Sequence, residues 1–272
     1  MNPTELESNL KPYVLTVGTN VAMLDVDLEL DEPIQVMRVE DEQHAEFCSI
    51  LNRGNQAAFG GPKDMGMPLW VMLDCAILPS AMVGFMLPRE VVPAEIIDRL
   101  DVDEDYDGFV PISEYCACPT VEPNTVSGFS LHSHVPGQGI ATRTKALGLA
   151  VLRARRQLGV TQFDNPAIRV HVRFGPMEVK IHRPIVHTHP DDSFVYGLDL
   201  PEQDTLLEIA RGESEFGAGQ LPTGQRWTFM HDDELAHGRL RQHLAQDGRA
   251  WVIPPGWRAT EQGYEISMVL GE

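Results

Sequence analysis

The sequence predicts an α/β fold in which a mixed, largely antiparallel central sheet is flanked by helices and followed by a C-terminal extension. Strand-like stretches, either apolar or alternating between apolar and polar residues, recur along the 272 residues. Stretches with apolar residues at helical spacing lie between them. One strand-like stretch, residues 125–135, leads through the turn PGQG directly into a helical stretch. Hydrophobic residues make up 43% of the chain, which is enough for a packed core.

The first third of the chain predicts short strands and two helices. Residues 1–33 contain the β-like stretch YVLTVGTNVAMLDVDLEL, which predicts an N-terminal arm or a first hairpin. Residues 34–39 predict a short strand, and a helix follows from Glu40 to the break Gly60-Gly61-Pro62. Residues 69–87 are almost continuously apolar and predict two buried strands around the turn at Leu78-Pro79-Ser80, before a short helix at VPAEIIDRL.

The middle of the chain predicts a long helix after the glycine turn. Its apolar residues share one face from Thr142 to Leu158, and Gly159 is a typical residue after a helix end. The stretch VTQF then predicts a short strand. For residues 166–175 two interpretations stay open, because Asn165-Pro166 is typical of a helix start whereas the alternation that follows is typical of a strand.

The remaining elements complete the predicted domains. Strands are expected in MEVKIHRPIV and DSFVYGLDL. Beyond them, residues 201–272 predict loops, a helix near 232–246 and a closing strand pair. The sequence therefore predicts an N-terminal arm or hairpin at 1–33, one domain at 34–200, and a C-terminal extension at 201–272.

Composition restricts the function classes. The 21 basic and 40 acidic residues give a net charge of −19, which disfavours nucleic-acid binding and anionic membrane surfaces. The N-terminal sequence resembles no signal peptide and no apolar run approaches 18 residues, so no membrane association is expected. The cysteines are too few for a disulfide scaffold and predict a reducing, cytoplasmic location; they are Cys48, Cys75, Cys116 and Cys118.

The glycine turn predicts an anion site. A strand, a glycine turn and a helix start together direct backbone N–H groups toward an anion. From Pro123 to Met177 the only acidic residue is Asp164, while seven of the 21 basic residues fall there. We call these seven the basic island: Arg143, Lys145, Arg153, Arg155, Arg156, Arg169 and Arg173. The alternative is a solvated helix face whose arginines pair with acids elsewhere in the chain.

Four segments, quoted in chain order, resemble the GCN5-related N-acetyltransferase superfamily (GNAT). VMRVEDEQHAEFCSIL is similar to its first strand and helix, and SAMVGFML to a following strand. PGQGIA resembles the family's R/Q-x-x-G-x-G/A turn, which binds the pyrophosphate of acyl-CoA. NPAIRVHVRFGP resembles its Asn-x-x-Ala…Tyr-x-x-x-Gly-Phe segment through Asn165 and Gly175. The resemblance covers roughly residues 34–200.

The resemblance implies an acyl-CoA-dependent N-acyltransferase that acts on a small-molecule or peptide amine. Acetyl-CoA or another acyl-CoA would be the co-substrate, and no metal is expected. Glu114, His132 or His134 would be the base, a backbone N–H near His134 or Val135 the oxyanion donor, and His171, at the family's tyrosine position, the acid for the leaving thiolate. The implied cofactor-binding residues are Val135, Gly137, Gln138, Gly139, Ile140, Ala141, Thr142, Arg143 and Asn165.

Two alternatives stay open. The stretches HTHPDD and GRAWVIPPGW resemble the two motifs of cupins, which are metal-binding enzymes, with Gly248, Pro254 and Gly256 at the expected spacing. Ala259 stands where that pattern needs a metal-binding histidine. The other alternative is a non-catalytic CoA- or anion-binding module that retains the turn without the chemistry.

Overall fold

The structure of the protein is a computed structural model, which describes residues 3–61, 65–78, 81–182, 193–214 and 220–272. The chain divides into two compact units. Unit 1 consists of Met1–Ala154 and Leu206–Glu213. Unit 2 consists of Arg155–Thr205 and Ser214–Glu272. The change from the first unit to the second at Ala154 lies inside the range 34–200, for which the sequence predicts one domain.

Helices and strands are interspersed along the described part of the chain. The helices are α1 (Pro3–Asn9), α2 (Ala45–Phe59), α3 (Leu69–Ile77), α4 (Ala94–Leu100), α5 (Ile140–Val151), α6 (Ile168–His171), α7 (Gln203–Arg211) and α8 (Glu234–Ala245). The strands are β1 (Lys11–Thr16), β2 (Gln35–Arg38), β3 (Ala81–Pro88), β4 (Phe109–Pro111), β5 (Ser113–Pro119), β6 (Thr125–Ser133), β7 (Arg156–Gln162), β8 (Met177–His182), β9 (Ser193–Asp199), β10 (Gln225–Met230), β11 (Arg249–Thr260) and β12 (Gly263–Gly271).

The strands of unit 1 follow the order β6-β5-β3-β1-β2, and β4 also pairs with β3. All of these pairs are antiparallel except β1–β2. Met82 and Cys116 pack in a core with α2 and α3, whereas Val83 and Tyr115 meet Gly148 of α5. Because both faces of β3 are covered, its residues form a continuous apolar run instead of an alternating one.

A close contact fixes the position of β1 against its neighbours. A Cβ atom on Gly84 of β3 would lie 2.0 Å from the Ser113 carbonyl oxygen and 2.7 Å from the Tyr13 ring. The Tyr13 hydroxyl donates a hydrogen bond to that same carbonyl at 2.8 Å. Only glycine leaves room for this buried tyrosine to cross β3 and reach Ser113.

The strands of unit 2 follow the order β10-β12-β11-β8-β9-β7, and every pair is antiparallel. Helix α8 packs on β8 and β11. The side chain of Asp233 caps α8 by accepting hydrogen bonds from the N–H groups of Leu235 and Ala236, both at 3.0 Å.

The structure confirms a mixed α/β fold with mostly antiparallel sheet pairing and flanking helices. It also confirms the predicted short strand as β2, the following helix as α2, the strand before the turn as β6, and the late helix as α8. Between the two interpretations of residues 166–175, it shows a helix, α6, that spans only Ile168–His171.

Two expectations for the first unit differ from the structure. Residues 1–33 form neither a free arm nor a hairpin, because β1 lies between β2 and β3 in the sheet. Residues 69–77 form helix α3 instead of a strand, since periodicity cannot assign so short an apolar run. The Asn20 side chain supports this helix by donating to the carbonyls of Ile77 at 2.9 Å and Leu78 at 3.0 Å.

The long helix predicted after the turn is also wrong in its second half. Helix α5 ends at Val151, and Arg153 then takes a left-handed φ of 49°. Leu158 and Gly159 pair with β9 as strand residues, so Gly159 does not follow a helix end. Pairing with β9 outweighs the helix propensity of the alanine, arginine and leucine residues there.

Candidate functional site

The turn between β6 and α5 has the backbone conformation that an anion site requires. Gly137 and Gly139 have left-handed φ angles of 77° and 72°. Among the described residues, no atom other than those of the glycine and its chain neighbours lies within 4 Å of a Cβ built on either. The first N–H groups of a helix have no acceptor within it, which leaves those of Ile140 and Ala141 without a helical partner. The N–H groups of Thr142 and Arg143 instead bond to the Gly139 carbonyl. The turn thus gives a ligand open access to backbone donors.

The side chain of Arg143 does not contribute to an anion site. Its guanidinium contacts both carboxylate oxygens of Glu7, at 2.6 and 2.7 Å, and its Nε donates to the Ala210 carbonyl at 2.9 Å. The same group lies over the Phe85 ring, 5.2 Å from its centre. Arg143 is buried, Glu7 is exposed, and the pair lies within unit 1, so it ties the two residues together inside that unit.

Other members of the basic island are engaged in the same way. Arg153 pairs with Asp25, Arg155 with Glu202, and Arg156 with Asp199. Lys145 is fully buried, and burial lowers the pKa of its amino group well below the usual value. The alternative interpretation of arginines paired with distant acids therefore describes Arg143, Arg153, Arg155 and Arg156. Of the predicted anion site, the backbone of the turn is the part that stays open to a ligand.

A buried polar cluster lies in unit 1 on the strand that leads to the turn and on its neighbours. We call it the Glu114 cluster; its members are Asn55, Glu114, Ser130, His132 and His134. Ser130 Oγ donates to Glu114 Oε1 at 2.9 Å. Asn55 Nδ2 donates to Ser130 Oγ at 2.5 Å and lies 3.5 Å from Glu114 Oε2. The carboxyl is fully buried and is held by side chains from α2 and β6.

A β-bulge brings Ser130 to this position. Glu114 pairs with His132 and Cys116 pairs with Phe129, so three steps along β6 oppose two steps along β5. Ser130 lies in the bulge with a left-handed φ of 55°. A bulge of this kind redirects a side chain relative to the regular strand, and here it places the Ser130 hydroxyl on the Glu114 carboxyl.

The environment of Glu114 favours its protonated form. Burial raises the pKa of this carboxyl from its ordinary value to about 8, and the hydrogen bonds from Ser130 and Asn55 oppose that rise. Most Glu114 side chains therefore carry a proton at neutral pH, and a minority are carboxylates. A pKa in this range suits a group that both accepts and returns a proton.

His132 and His134 have ring nitrogens without partners. Their rings lie 4.9 Å apart, and a Cβ atom on Gly54 of α2 would lie 2.8 Å from His134 Nε2. Among the described residues, neither His132 Nδ1 nor His134 Nε2 has a hydrogen-bond partner. Burial lowers the pKa of His132 to about 3 and that of His134 to about 4, so both imidazoles are neutral. Buried polar atoms without a partner are rare, and the hydrogen-bonding capacity of these two nitrogens is open to a water, an ion or a ligand.

The expected backbone oxyanion donors are already occupied. The His134 N–H donates to the Ile112 carbonyl at 2.8 Å, and the Val135 N–H donates to Ser133 Oγ at 3.2 Å. Stabilisation of an oxyanion by either group would require its present bond to break. The imidazoles of His132 and His134, with their unpartnered nitrogens, are the better candidates for this role.

His171 and Asn165 belong to unit 2, whereas the turn and the Glu114 cluster belong to unit 1. His171 is buried, and its ring centre lies 5.1 Å from that of Tyr196. The Asn165 side chain accepts a hydrogen bond from the Ala167 N–H at 2.9 Å, as expected of a residue that begins a helical turn. The geometry thus gives Asn165 a local structural role.

Sequence reasoning missed Asn55 and Gly54. The available signal was an Asn-x-Gly-Asn string, residues 52–55, in the middle of a predicted amphipathic helix. Glycine destabilises a helix interior by about 1 kcal/mol relative to alanine, so its presence indicates a close approach by another group. That group is the imidazole of His134.

The cupin alternative depends largely on residues outside the described part of the chain. His187, His189 and the other residues of the first motif lie in 183–192, and Ala259 of the second motif pairs with Tyr264 in β11–β12. Within the described ranges, no three His, Cys, Asp or Glu side chains are arranged to hold a metal ion.

No described helix is both long and apolar enough to cross a membrane. The sequence matches no protein-family model and no curated protein.

Proposed function

We propose that the protein is an acyl-CoA-dependent N-acyltransferase that moves an acetyl or longer acyl group to the amine of a small molecule or peptide. The observation that carries the proposal is that part of the Glu114 cluster and the glycine turn adjoin along the chain. β6 bears His132, pairs it with Glu114, and ends in a turn with two left-handed glycines before α5. A buried proton-transfer group and an open anion-binding turn thereby lie on the same strand and its immediate continuation.

The turn would bind the phosphates of CoA through its backbone. An anion at a helix start is stabilised by free N–H groups and by the helix dipole. Because Gly137 and Gly139 lack side chains, phosphate oxygens can approach the backbone N–H groups of residues 137–141 closely. The basic island adds little charge, since four of its arginines face carboxylates.

Glu114 would act as the base. A primary amine is mostly an ammonium at neutral pH and must lose a proton before its nitrogen attacks the thioester carbonyl. The Glu114 carboxylate would accept that proton, and its raised pKa makes the transfer less unfavourable than it would be to an exposed glutamate. The unpartnered nitrogens of His132 and His134 would hydrogen-bond to the reacting groups, including the developing oxyanion.

The family resemblance at residues 165–176 implies that His171 supplies the proton that the CoA thiolate takes when the C–S bond breaks. The geometry described above does not carry this role, because His171 belongs to unit 2. The test of this role is the acyl-transfer rate of His171→Gln beside His171→Tyr. Gln should lower the rate, and Tyr should restore part of it. Two variants that both match the parent would end the assignment.

Calorimetry with CoA tests the binding half of the proposal. We expect Gly139→Val to lose at least about 100-fold in affinity, because the side chain blocks phosphate approach and is strained at a φ of 72°. Gly263→Val, at a φ of 133° in the β11–β12 turn, is the matched control for backbone strain. Unchanged affinity in a folded Gly139→Val protein would contradict CoA binding at this turn.

One observation favours a second function, a non-catalytic CoA-binding module. The backbone N–H groups of His134 and Val135, which the resemblance assigns to the oxyanion, are occupied by hydrogen bonds. Such a module would bind CoA at the turn with the same sensitivity to Gly139→Val. It would release no thiol from acetyl-CoA in the presence of amines.

A further inference from the structure

Three of the four cysteines meet at one place in unit 1. Glu114, Cys116 and Cys118 are spaced two residues apart along β5, so their side chains lie on the same face of the strand. Helix α3 covers this face, and its residues Met72 and Ala76 share the buried core with Cys116. Cys75 of the same helix packs against that core from its edge.

The thiol of Cys116 lies close to the thiols of Cys118 and Cys75. Cys75 packs against the core that contains Cys116, and the nearby Cys118 and Cys75 thiols raise the pKa of the Cys116 thiol well above its usual value. Cys116 is fully buried, whereas Cys75 and Cys118 are each partly exposed. The fourth cysteine, Cys48 of α2, lies in the same core, and burial raises the pKa of its thiol to about 11. A partly exposed thiol therefore stands beside a buried one, and the two belong to different elements.

We propose that Cys75 and Cys116 form a reversible disulfide when the protein meets a hydroperoxide. Cys116 and Cys118 are a poorer pair, because residues i and i+2 of a strand hold their Cβ atoms about 6.6 Å apart while a disulfide needs about 3.5–4.5 Å. Cys75 approaches Cys116 from a separate helix and is free of that restriction. This inference goes beyond the proposed function and does not depend on it.

The chemistry begins at Cys75. The nearby Cys116 thiol lowers the pKa of the Cys75 thiol, and the partial exposure of Cys75 admits a small oxidant. The Cys75 thiolate attacks one peroxide oxygen, so that an S–O bond forms, the O–O bond breaks, and one water leaves as Cys75 becomes a sulfenic acid. The Cys116 sulfur then attacks the sulfur of Cys75, the S–O bond breaks, and the departing hydroxide takes the proton of the Cys116 thiol, so that a second water leaves. Two thiols and one hydrogen peroxide give one disulfide and two waters.

The test is peptide mass spectrometry of the reduced full-length chain after treatment with one equivalent of hydrogen peroxide, digested without reductant. We expect a peptide linked through Cys75 and Cys116, the loss of two titratable thiols, and full reversal by dithiothreitol. Cys75→Ser and Cys116→Ala should abolish the link. Cys118→Ser and Cys48→Ala should retain it and serve as matched controls.

A second measurement covers the case in which Cys116→Ala fails to fold. Dimedone traps sulfenic acids, and in the wild-type chain a brief peroxide pulse should label Cys75 before the disulfide closes. Irreversible oxidation of Cys75 without a link, a link between any other pair, or an unmodified chain under these native conditions would each overturn the proposal.

Discussion

Two histidine pairs, one in each unit, differ in whether all of their ring nitrogens have hydrogen-bond partners. In unit 1, His132 and His134 lie 4.9 Å apart between ring centres; in unit 2, His182 and His237 lie at the same distance. His182 Nδ1 is 3.1 Å from the Ser193 carbonyl, its Nε2 is 2.9 Å from His237 Nδ1, and His237 Nε2 is 2.6 Å from the His231 carbonyl. Every ring nitrogen of the second pair has a partner, whereas two nitrogens of the first pair have none among the described residues.

The difference teaches that burial alone does not identify a functional histidine. Burial lowers the pKa of His182 to about 4, as it does for His134. A shifted pKa is found at structural sites as well as at functional ones. Hydrogen-bond satisfaction separates the two pairs, because a saturated pair supports the fold while unpartnered nitrogens remain available to a ligand.

The largest effect is expected on catalysis. We predict that His134→Leu lowers the rate of acyl transfer about 10²–10³-fold, the usual contribution of one hydrogen-bond donor to a developing oxyanion. The matched variant His237→Leu removes an imidazole from the saturated pair and should stay within a few-fold of the parent. Steady-state thiol release from acetyl-CoA measures both. Equal losses in the two variants would erase the functional distinction between the pairs.

For stability we expect the reverse order of the two variants, with His237→Leu the more destabilising. His237→Leu strips partners from His182 Nε2 and the His231 carbonyl, so we expect the free energy of unfolding to fall by about 1–3 kcal/mol. His134→Leu removes no protein hydrogen bond from Nε2, and we expect a loss under about 1 kcal/mol. Urea denaturation followed by circular dichroism gives both values. If His134→Leu proves the more destabilising of the two, His134 has a structural role instead.

Local chemistry made part of this structure predictable. Residues 125–135 and the PGQG turn were assigned correctly, because glycine and the neighbouring apolar pattern fix the backbone there. The end of α5 was not assigned correctly, because Leu158 and Gly159 belong to a strand only through their pairing with β9. Residues 69–77 look the same as a strand or as a helix until α3 packs on the core.

The candidate site was predictable in its parts but not in its assembly. Glu114 and His134 were expected as candidate bases, and both lie in the Glu114 cluster. Asn55 reaches Glu114 only because α2 packs on β5 and β6 and the bulge turns Ser130 inward, which are tertiary effects. The partner of Arg143, Glu7, lies 136 positions away in the sequence, so the pattern of charges alone could not reveal that the basic island is paired.

The central claim is tested most directly by the pH dependence of thiol release from acetyl-CoA with an amine acceptor, for the parent and Glu114→Gln. The base must be a carboxylate, so kcat/KM should rise with pH and reach half of its plateau near pH 8, the raised pKa of Glu114. The free energy of unfolding should change in the opposite sense. Because the pKa of Glu114 is raised in the folded state, its contribution to stability is fully present below about pH 4.5 and is lost as pH rises through about 8. Glu114→Gln should abolish both dependences. A parent that binds CoA but releases no thiol, or a Glu114→Gln variant with the parent's rate and pH profile, would contradict the account.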